Sequence, residues 1–219
     1  MMTRDDTNEE SIFELSVEEN KELTQKQKQI LEAAINIFAE KGYAASSTSE
    51  IAKQAGVAEG TIFRHYKTKK DLLISIVSPI MSRLVAPFVI NDFKKVLHTD
   101  YETVEELLRA ILFNRKAFAE KNLPIIKIML QEIPFHPELK EQFMKHVASK
   151  VYTRLEDIVT HFQSQGQIID MPASSIIRLI ASSMISYLVT RFMIMPEADW
   201  DDEAEIERTI QYVMGGIGK

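Results

Sequence analysis

Residues 46–66 read SSTSEIAKQAGVAEGTIFRHY, and KTKK follows at 67–70. Two short helices folded on a glycine turn account for the pattern. Ser47 and Glu50 have the spacing of a capping box, in which the Ser hydroxyl accepts from the N–H of residue 50 and the Glu carboxylate from that of residue 47. A helix is therefore expected to start at Thr48. Ile51, Ala52 and Ala55 give it an apolar face, Gly56 stands where a left-handed residue costs least, and Val57 is expected to plug the corner. A second helix over about 58–66 turns Ile62 and Tyr66, four apart, towards a core. Glu59, Gly60, Thr61, Phe63, Arg64 and His65 then fall mainly on the other surfaces. That is the layout of a helix-turn-helix, whose second helix enters a DNA major groove.

The preceding stretch, QILEAAINIFAEKGY at 29–43, supplies a third helix with Ile30, Ala34 and Phe38 at helical spacing and a stop at Gly42-Tyr43. With Ile51-Ala52, Gly56-Val57, Gly60-Thr61-Ile62-Phe63, His65-Tyr66 and Lys70, it makes residues 25–73 resemble the N-terminal DNA-binding domain of the TetR family of transcriptional repressors. The resemblance implies backbone contacts from Ser47, Phe63, His65, Lys67 and Lys70. One departure stands out: the family usually has a capping Ser or Thr before residue 59, and this chain has Ala58. The second helix loses a cap worth about 1 kcal/mol, and Glu59 brings an acid towards phosphates.

The chain has 219 residues, 45% of them hydrophobic, enough for one large or two modest cores. No segment alternates convincingly as a strand, so the expected fold is all-α. Cysteine is absent, which excludes disulfides and suits a reducing cytoplasm. The acidic start, MMTRDDTNEE, is unlike a signal peptide. The formal net charge of -6 looks wrong for a nucleic-acid binder until it is divided along the chain. Residues 1–20 hold one basic and seven acidic side chains, whereas 21–70 hold nine basic and five acidic. Affinity for DNA needs only a local basic face, because it comes from counterions released at the contacted phosphates. The expected organisation is a tail over 1–24, mostly disordered or with a short amphipathic helix near 11–23; a helix-turn-helix domain over 25–70; and a larger helical domain over 71–219.

After Lys70 the pattern becomes a succession of apolar-striped helices. The first is expected over 69–83, with a kink or break near 75–79 caused by Pro79. Others are expected over about 102–121, 123–133, 137–165, 172–195 and 201–214, punctuated by Pro124, Pro137 and Pro172 near first turns and by Gly166 and Gly215 after ends. The segment IIRLIASSMISYLVTRFMIM at 176–195 is long enough to span a membrane. Arg178 and Arg191 inside it, with three serines, argue instead for a helix buried on both sides. In the resembled family the last two helices pack as a four-helix dimer interface. Ile177, Met184 and Leu188 on this segment, with Ile206, Ile210 and Val213 on the next, are expected there, making the protein a homodimer with no membrane partner.

No phosphate loop, nucleophile elbow or paired-carboxylate motif is present, and His98, His136, His146 and His161 lack metal-ligand spacing. No enzyme activity, metal or cofactor is expected. Arg115 interrupts the stripe Val104, Leu108, Ile111, Phe118, with Asn114 on the overlapping one. A buried arginine needs a partner: an acid such as Glu132 or Asp157, or a ligand in an otherwise apolar cavity. Met and Phe along the second half, among them Met81, Phe88, Phe93 and Met129, are core by default, though such side chains also suit a pocket for lipophilic compounds. Asn114, Arg115, Phe118 and Met129 are the ligand candidates.

These readings imply a cytoplasmic, ligand-responsive repressor, released from a palindromic double-stranded operator by a small lipophilic effector. Arg64 suits a guanine edge, and Thr61 a thymine methyl or a phosphate. The alternative is an architectural DNA-binding protein of the same fold that acts through protein partners.

Overall fold

The structure, a computed structural model, describes residues 23–79, 101–145 and 149–219. The acidic start up to residue 22, together with Met81, Phe88, Phe93, His98 and His146, lies outside the described residues. Among those described, every named element is helical, and the one strand-like feature is an isolated bridge between Ile168 and Gly218. The chain divides into two compact units: Met1–Val85 with Pro124–Leu139, and Ala86–Leu123 with Lys140–Lys219. The first unit therefore reaches beyond the expected boundary at residue 70.

In the first unit, α1 (Gln25–Lys41) starts at a capping box between Thr24 and Gln27 and ends at Gly42. It presents Ile30, Leu31, Ala34 and Phe38 to a core shared with Ile51 and Ala52 of α2 (Thr48–Gln54), Ile62 of α3 (Glu59–His65), and Leu72, Leu73 and Ile76 of α4 (Lys69–Pro79). Gly56 adopts φ +67°, as the α2–α3 corner requires. Val57 is half-buried, and its N–H donates to the Ala52 carbonyl at 3.0 Å. Helix α4 is continuous to Pro79, so the break expected near 75–79 is not found among the described residues. Also in this unit lie nearly all of a later helix, α6 (Leu123–Glu132), and a 3-10 turn over Ile133–Phe135.

The second unit is built on α5 (Val104–Lys121), α8 (Ser149–Ser164), α9 (Ala173–Val189) and α10 (Asp202–Ile217); α7 (Pro137–Phe143), whose first three residues belong to the first unit, precedes α8. Its core joins Val104, Leu107, Leu108, Ile111 and Leu112 to Val159, Phe162, Ile176, Met184, Ile206 and Ile210. The expected helix over 137–165 is described as two helices, with residues 146–148 outside the described set. Gly215 does not follow the end of α10 but lies within it. The last turn is held because Ile217 is buried and its carbonyl accepts from the Ile169 N–H at 2.9 Å. The turn carrying Ile169 also grips the start of α5: Gln167 accepts from the Val104 N–H at 3.1 Å and donates to the Glu102 carbonyl at 2.8 Å.

The α10 stripe corrects an expectation. Met184, Ile206, Ile210 and Val213 are buried within their own protomer, and Ile177 and Leu188 pack partly against the same core. The four buried side chains have no surface to offer a second subunit, whereas Ile177 and Leu188 keep part of theirs. The apolar side chains that α9 and α10 leave outside are Leu179, Ile185 and Tyr212. Helix α9 with the π-helical turn Thr190–Ile194 is long and apolar enough to cross a membrane by length and composition, with 17% of that stretch buried inside the protomer.

Below that turn the two helices are joined by charge. Asp202 accepts from Tyr187 Oη at 2.9 Å, from Arg191 Nε at 3.0 Å and from Lys116 Nζ at 3.1 Å. Burial alone would raise the Asp202 carboxyl, but these three donors outweigh it and hold its pKa below the ordinary value. The Tyr187 hydroxyl is pushed up, by burial first and then by its bond to Asp202. Arg191 also stacks over Trp200, whose indole N–H donates to the Met195 carbonyl at 2.8 Å.

Candidate functional site

The outer face of α3, with Lys67 just beyond it, is an exposed cationic surface of the first unit. Gly60, Phe63, Arg64 and His65 are exposed, Thr61 is half-buried, and Lys67 is exposed just beyond the helix. Phe63 retains 47% of its surface beside the exposed Arg64 and His65. What fixes this face is local. The Ser47 hydroxyl accepts from the Glu50 N–H at 3.2 Å while the Glu50 carboxylate accepts from the Ser47 N–H at 3.1 Å, so the expected capping box is present. Glu50 also pairs with Lys41 at 2.8 Å, and its carboxyl is held below the ordinary range by that lysine first and by Ser47 second. Ala58 caps α3 with no side-chain bond. Glu59, expected to approach DNA phosphates, instead accepts from the Thr48 hydroxyl at 2.6 Å.

The KTKK cluster separates into three roles. Lys67 points to solvent. Lys69 turns inward: its ammonium donates to the carbonyls of Tyr43 and Ser46, both at 2.7 Å, and sits 4.4 Å from the centre of the Tyr43 ring. It thereby ties α4 to the end of α1. Lys70, expected on phosphate, is engaged with Glu138 at 2.6 Å. Tyr43 in turn meets His136 edge to face at 5.4 Å, and His136 lies 3.2 Å from Glu132. Sequence reading missed the contacts of Lys69 with Ser46, of Glu138 with Lys70 and of His136 with Tyr43 because those partners lie 23, 68 and 93 residues away.

Asn114, Arg115 and Phe118 come together on α5, with Arg115 Nε donating to Asn114 Oδ1 at 2.9 Å and the guanidinium 5.0 Å from the Phe118 ring centre. Arg115 is half-buried rather than a core residue, because α5 turns Leu107, Leu108, Ile111 and Leu112 inward. Of the two acids expected opposite it, Glu132 meets His136, and Asp157 lies 3.9 Å from Arg154. Met129 is half-buried on α6, in the other unit. Among the described residues no group of three His, Cys, Asp or Glu could hold a metal ion.

Between α9 and α10 lies an open groove of about 510 Å³, lined by small and polar side chains that include Ser182, Ser186, Thr190, Arg208 and Tyr212.

Compared with known proteins, residues 30–76 match the model of the bacterial regulatory proteins of the tetR family. The fatty acid metabolism regulator protein of Bacillus subtilis (strain 168) is 28% identical over 191 residues, 86% of this chain and 94% of that protein. The transcriptional regulator AcrR of Shigella flexneri is 24% identical over 174 residues, 77% of this chain and 79% of that protein. Among solved structures, the regulator FadR from Bacillus subtilis in complex with stearoyl-CoA is 25% identical and superposes with a TM-score of 0.63, covering 86% of this chain and 98% of that one. FadR from Bacillus halodurans, at 23% identity and a TM-score of 0.64 over 90% of this chain and 98% of its own, shares the fold. With residues 30–76 matched and relatives that are transcriptional regulators spanning most of its length, the chain is a DNA-binding transcriptional regulator that carries the helix-turn-helix of the tetR family.

Proposed function

We propose that the protein is a homodimeric repressor of the cytoplasm that grips a palindromic operator through two copies of α3 and lets go when a long-chain acyl-CoA binds. The observation that carries the DNA half is the outer face of α3, which sets Arg64, Phe63 and His65 on an exposed helix braced from behind by Ile62 and Tyr66. Arg64 reads a guanine edge; Ser47, Gly60, Thr61, Phe63, His65 and Lys67 hold the backbone; Lys70 does so on exchanging Glu138 for a phosphate. The second copy covers Leu179, Ser182, Ile185 and Ser186 of α9 and Tyr212 of α10, filling the groove between them. Isologous pairing on this face gives the two-fold symmetry that a palindrome requires. Arg64→Ala is expected to lose about 1–3 kcal/mol on the specific site and to relax base preference there. Lys67→Ala is expected to weaken all duplexes alike and to flatten the salt slope by about 0.9. Affinities measured on a duplex selected from a random pool and on unselected DNA, across a salt series, check both; equal losses on the two duplexes for Arg64→Ala would remove its base-reading role.

The effector half rests on the likeness to the fatty acid metabolism regulator, which extends through the second unit and well past the DNA-binding domain. Arg115, held by Asn114 over the Phe118 ring, supplies a cation for the anionic end of such a ligand. Release requires the ligand to prefer the DNA-incompetent state, so by linkage the operator must weaken ligand binding by the same factor. Titrating stearoyl-CoA with and without the selected duplex, in wild type and Arg115→Ala, tests this. The expected coupling is about 5- to 150-fold, with weaker ligand binding in the variant. Equal ligand affinity with and without DNA overturns induction and favours a regulator that works through protein partners.

A further inference from the structure

The recognition helix begins without a cap of its own. Its first-turn N–H groups have no side-chain acceptor from Ala58, and a seven-residue helix has little length over which to average out a loose start. Glu59, its first residue, does not reach back to supply that acceptor. Its Oε1 accepts from the hydroxyl of Thr48, 2.6 Å away, and Thr48 is the first residue of α2, directly after the Ser47–Glu50 capping box. The first residues of both helices are thus bonded to each other across eleven positions of chain. Between those two residues the Gly56 turn and the Val57 bond to the Ala52 carbonyl close the α2–α3 corner, and Ile51, Ala52, Ile62 and Tyr66 seat both helices in the core. The Thr48–Glu59 bond adds a tie on the exposed side that fixes the start of α3 against the start of α2.

We infer that Glu59 is a positioning residue for DNA reading: through Thr48 it sets the angle at which α3 is presented, rather than touching DNA itself. The inference explains how an acid is tolerated at the head of a helix that enters a polyanion's groove, since its carboxylate is committed to a neighbour. It rests on the DNA-binding role of the domain, which wild-type binding to a selected duplex establishes separately.

The geometry makes opposite predictions for a positioning acid and a merely repelling one. Glu59→Gln keeps an amide oxygen that accepts from Thr48, whereas Glu59→Ala and Thr48→Val each abolish the bond. Affinities for the selected and for an unselected duplex are measured for the three single variants and for the Thr48→Val/Glu59→Ala pair, with thermal unfolding followed in parallel. Glu59→Ala and Thr48→Val are expected to lose roughly 3- to 10-fold on the selected duplex alone, with unfolding temperatures close to wild type. The double variant should lose no more than either single one, and Glu59→Gln should bind at least as well as wild type. Tighter binding to both duplexes by Glu59→Ala and Glu59→Gln alike would show simple repulsion and overturn the inference. So would losses that multiply in the double variant, or losses equal on the two duplexes.

Discussion

Ile210→Glu should yield no folded protomer, while Ile185→Glu should yield a folded one that cannot pair. The two residues lie on adjacent helices of the same unit, and a sequence stripe does not distinguish their fates. Ile210 is 2% exposed, among Leu107, Leu108, Ile176 and Ile206. A carboxylate there has no cation to meet, and breaking a core with an unpaired charge costs about 3–5 kcal/mol or more, a large part of the roughly 5–15 kcal/mol that holds a domain together. Ile185 is 52% exposed. A charge at that position costs the protomer little and costs an apolar interface its centre. Circular dichroism through a thermal ramp, combined with sedimentation velocity, separates the outcomes. Native unfolding of Ile210→Glu would contradict the burial of the stripe; a native-like dimer of Ile185→Glu would move the interface elsewhere on the molecule.

Asp202→Asn should be the most damaging isosteric change in the second unit. The substitution preserves shape but removes the charge on which Lys116, Arg191 and Tyr187 converge. Lys116 keeps Glu120 at 2.7 Å, and Arg191 keeps its stacking on Phe192 and Trp200. The remaining loss is expected to be about 2–3 kcal/mol, less than for a fully sealed pair because both cations keep about a fifth of their surface. The pH dependence follows from sign. Asp202 has a folded pKa below its ordinary 3.8, so its contribution is complete above that value and disappears as pH falls through the lower folded value. Wild type and Asp202→Asn should therefore differ most in unfolding temperature near neutrality, and the gap should close only as pH falls below 3.8 towards the lower folded value. A constant gap down to pH 2 would assign the cost to lost packing instead of charge.

The DNA-binding unit was legible because its determinants are local. A serine three residues before a glutamate, a glycine between two short apolar faces, and Ile62 and Tyr66 four apart each specify geometry within one turn of chain, and Ser47, Gly56 and Ile62 stand where those spacings put them. The second unit was legible as helices but not as surfaces. The stripe through Ile206, Ile210 and Val213 says that one side of α10 is covered, and periodicity is silent on whether the cover is the same chain or another copy. Arg115 was misread for a related reason: two overlapping stripes run along α5, and only packing decides that Leu107 and Leu112 face inward while Arg115 sits at the margin. The contacts of Lys70 with Glu138, and of Asp202 with Lys116, join residues tens of positions apart, and no spacing rule reaches across such intervals.

The turn that carries Gln167 and Ile169 has a mechanical consequence. One short segment grips both the start of α5 and the end of α10: Gln167 holds residues 102 and 104, and Ile169 holds the carbonyl of Ile217. It works as a buckle. Fraying inward from either extremity is resisted, so the unit should open all at once instead of unravelling helix by helix. The same closure slows assembly, because bonds spanning 63 and 65 residues form only after the intervening chain has been gathered in. A force applied between the start of α5 and the end of α10 would load this turn first, before any helix in the core begins to slide.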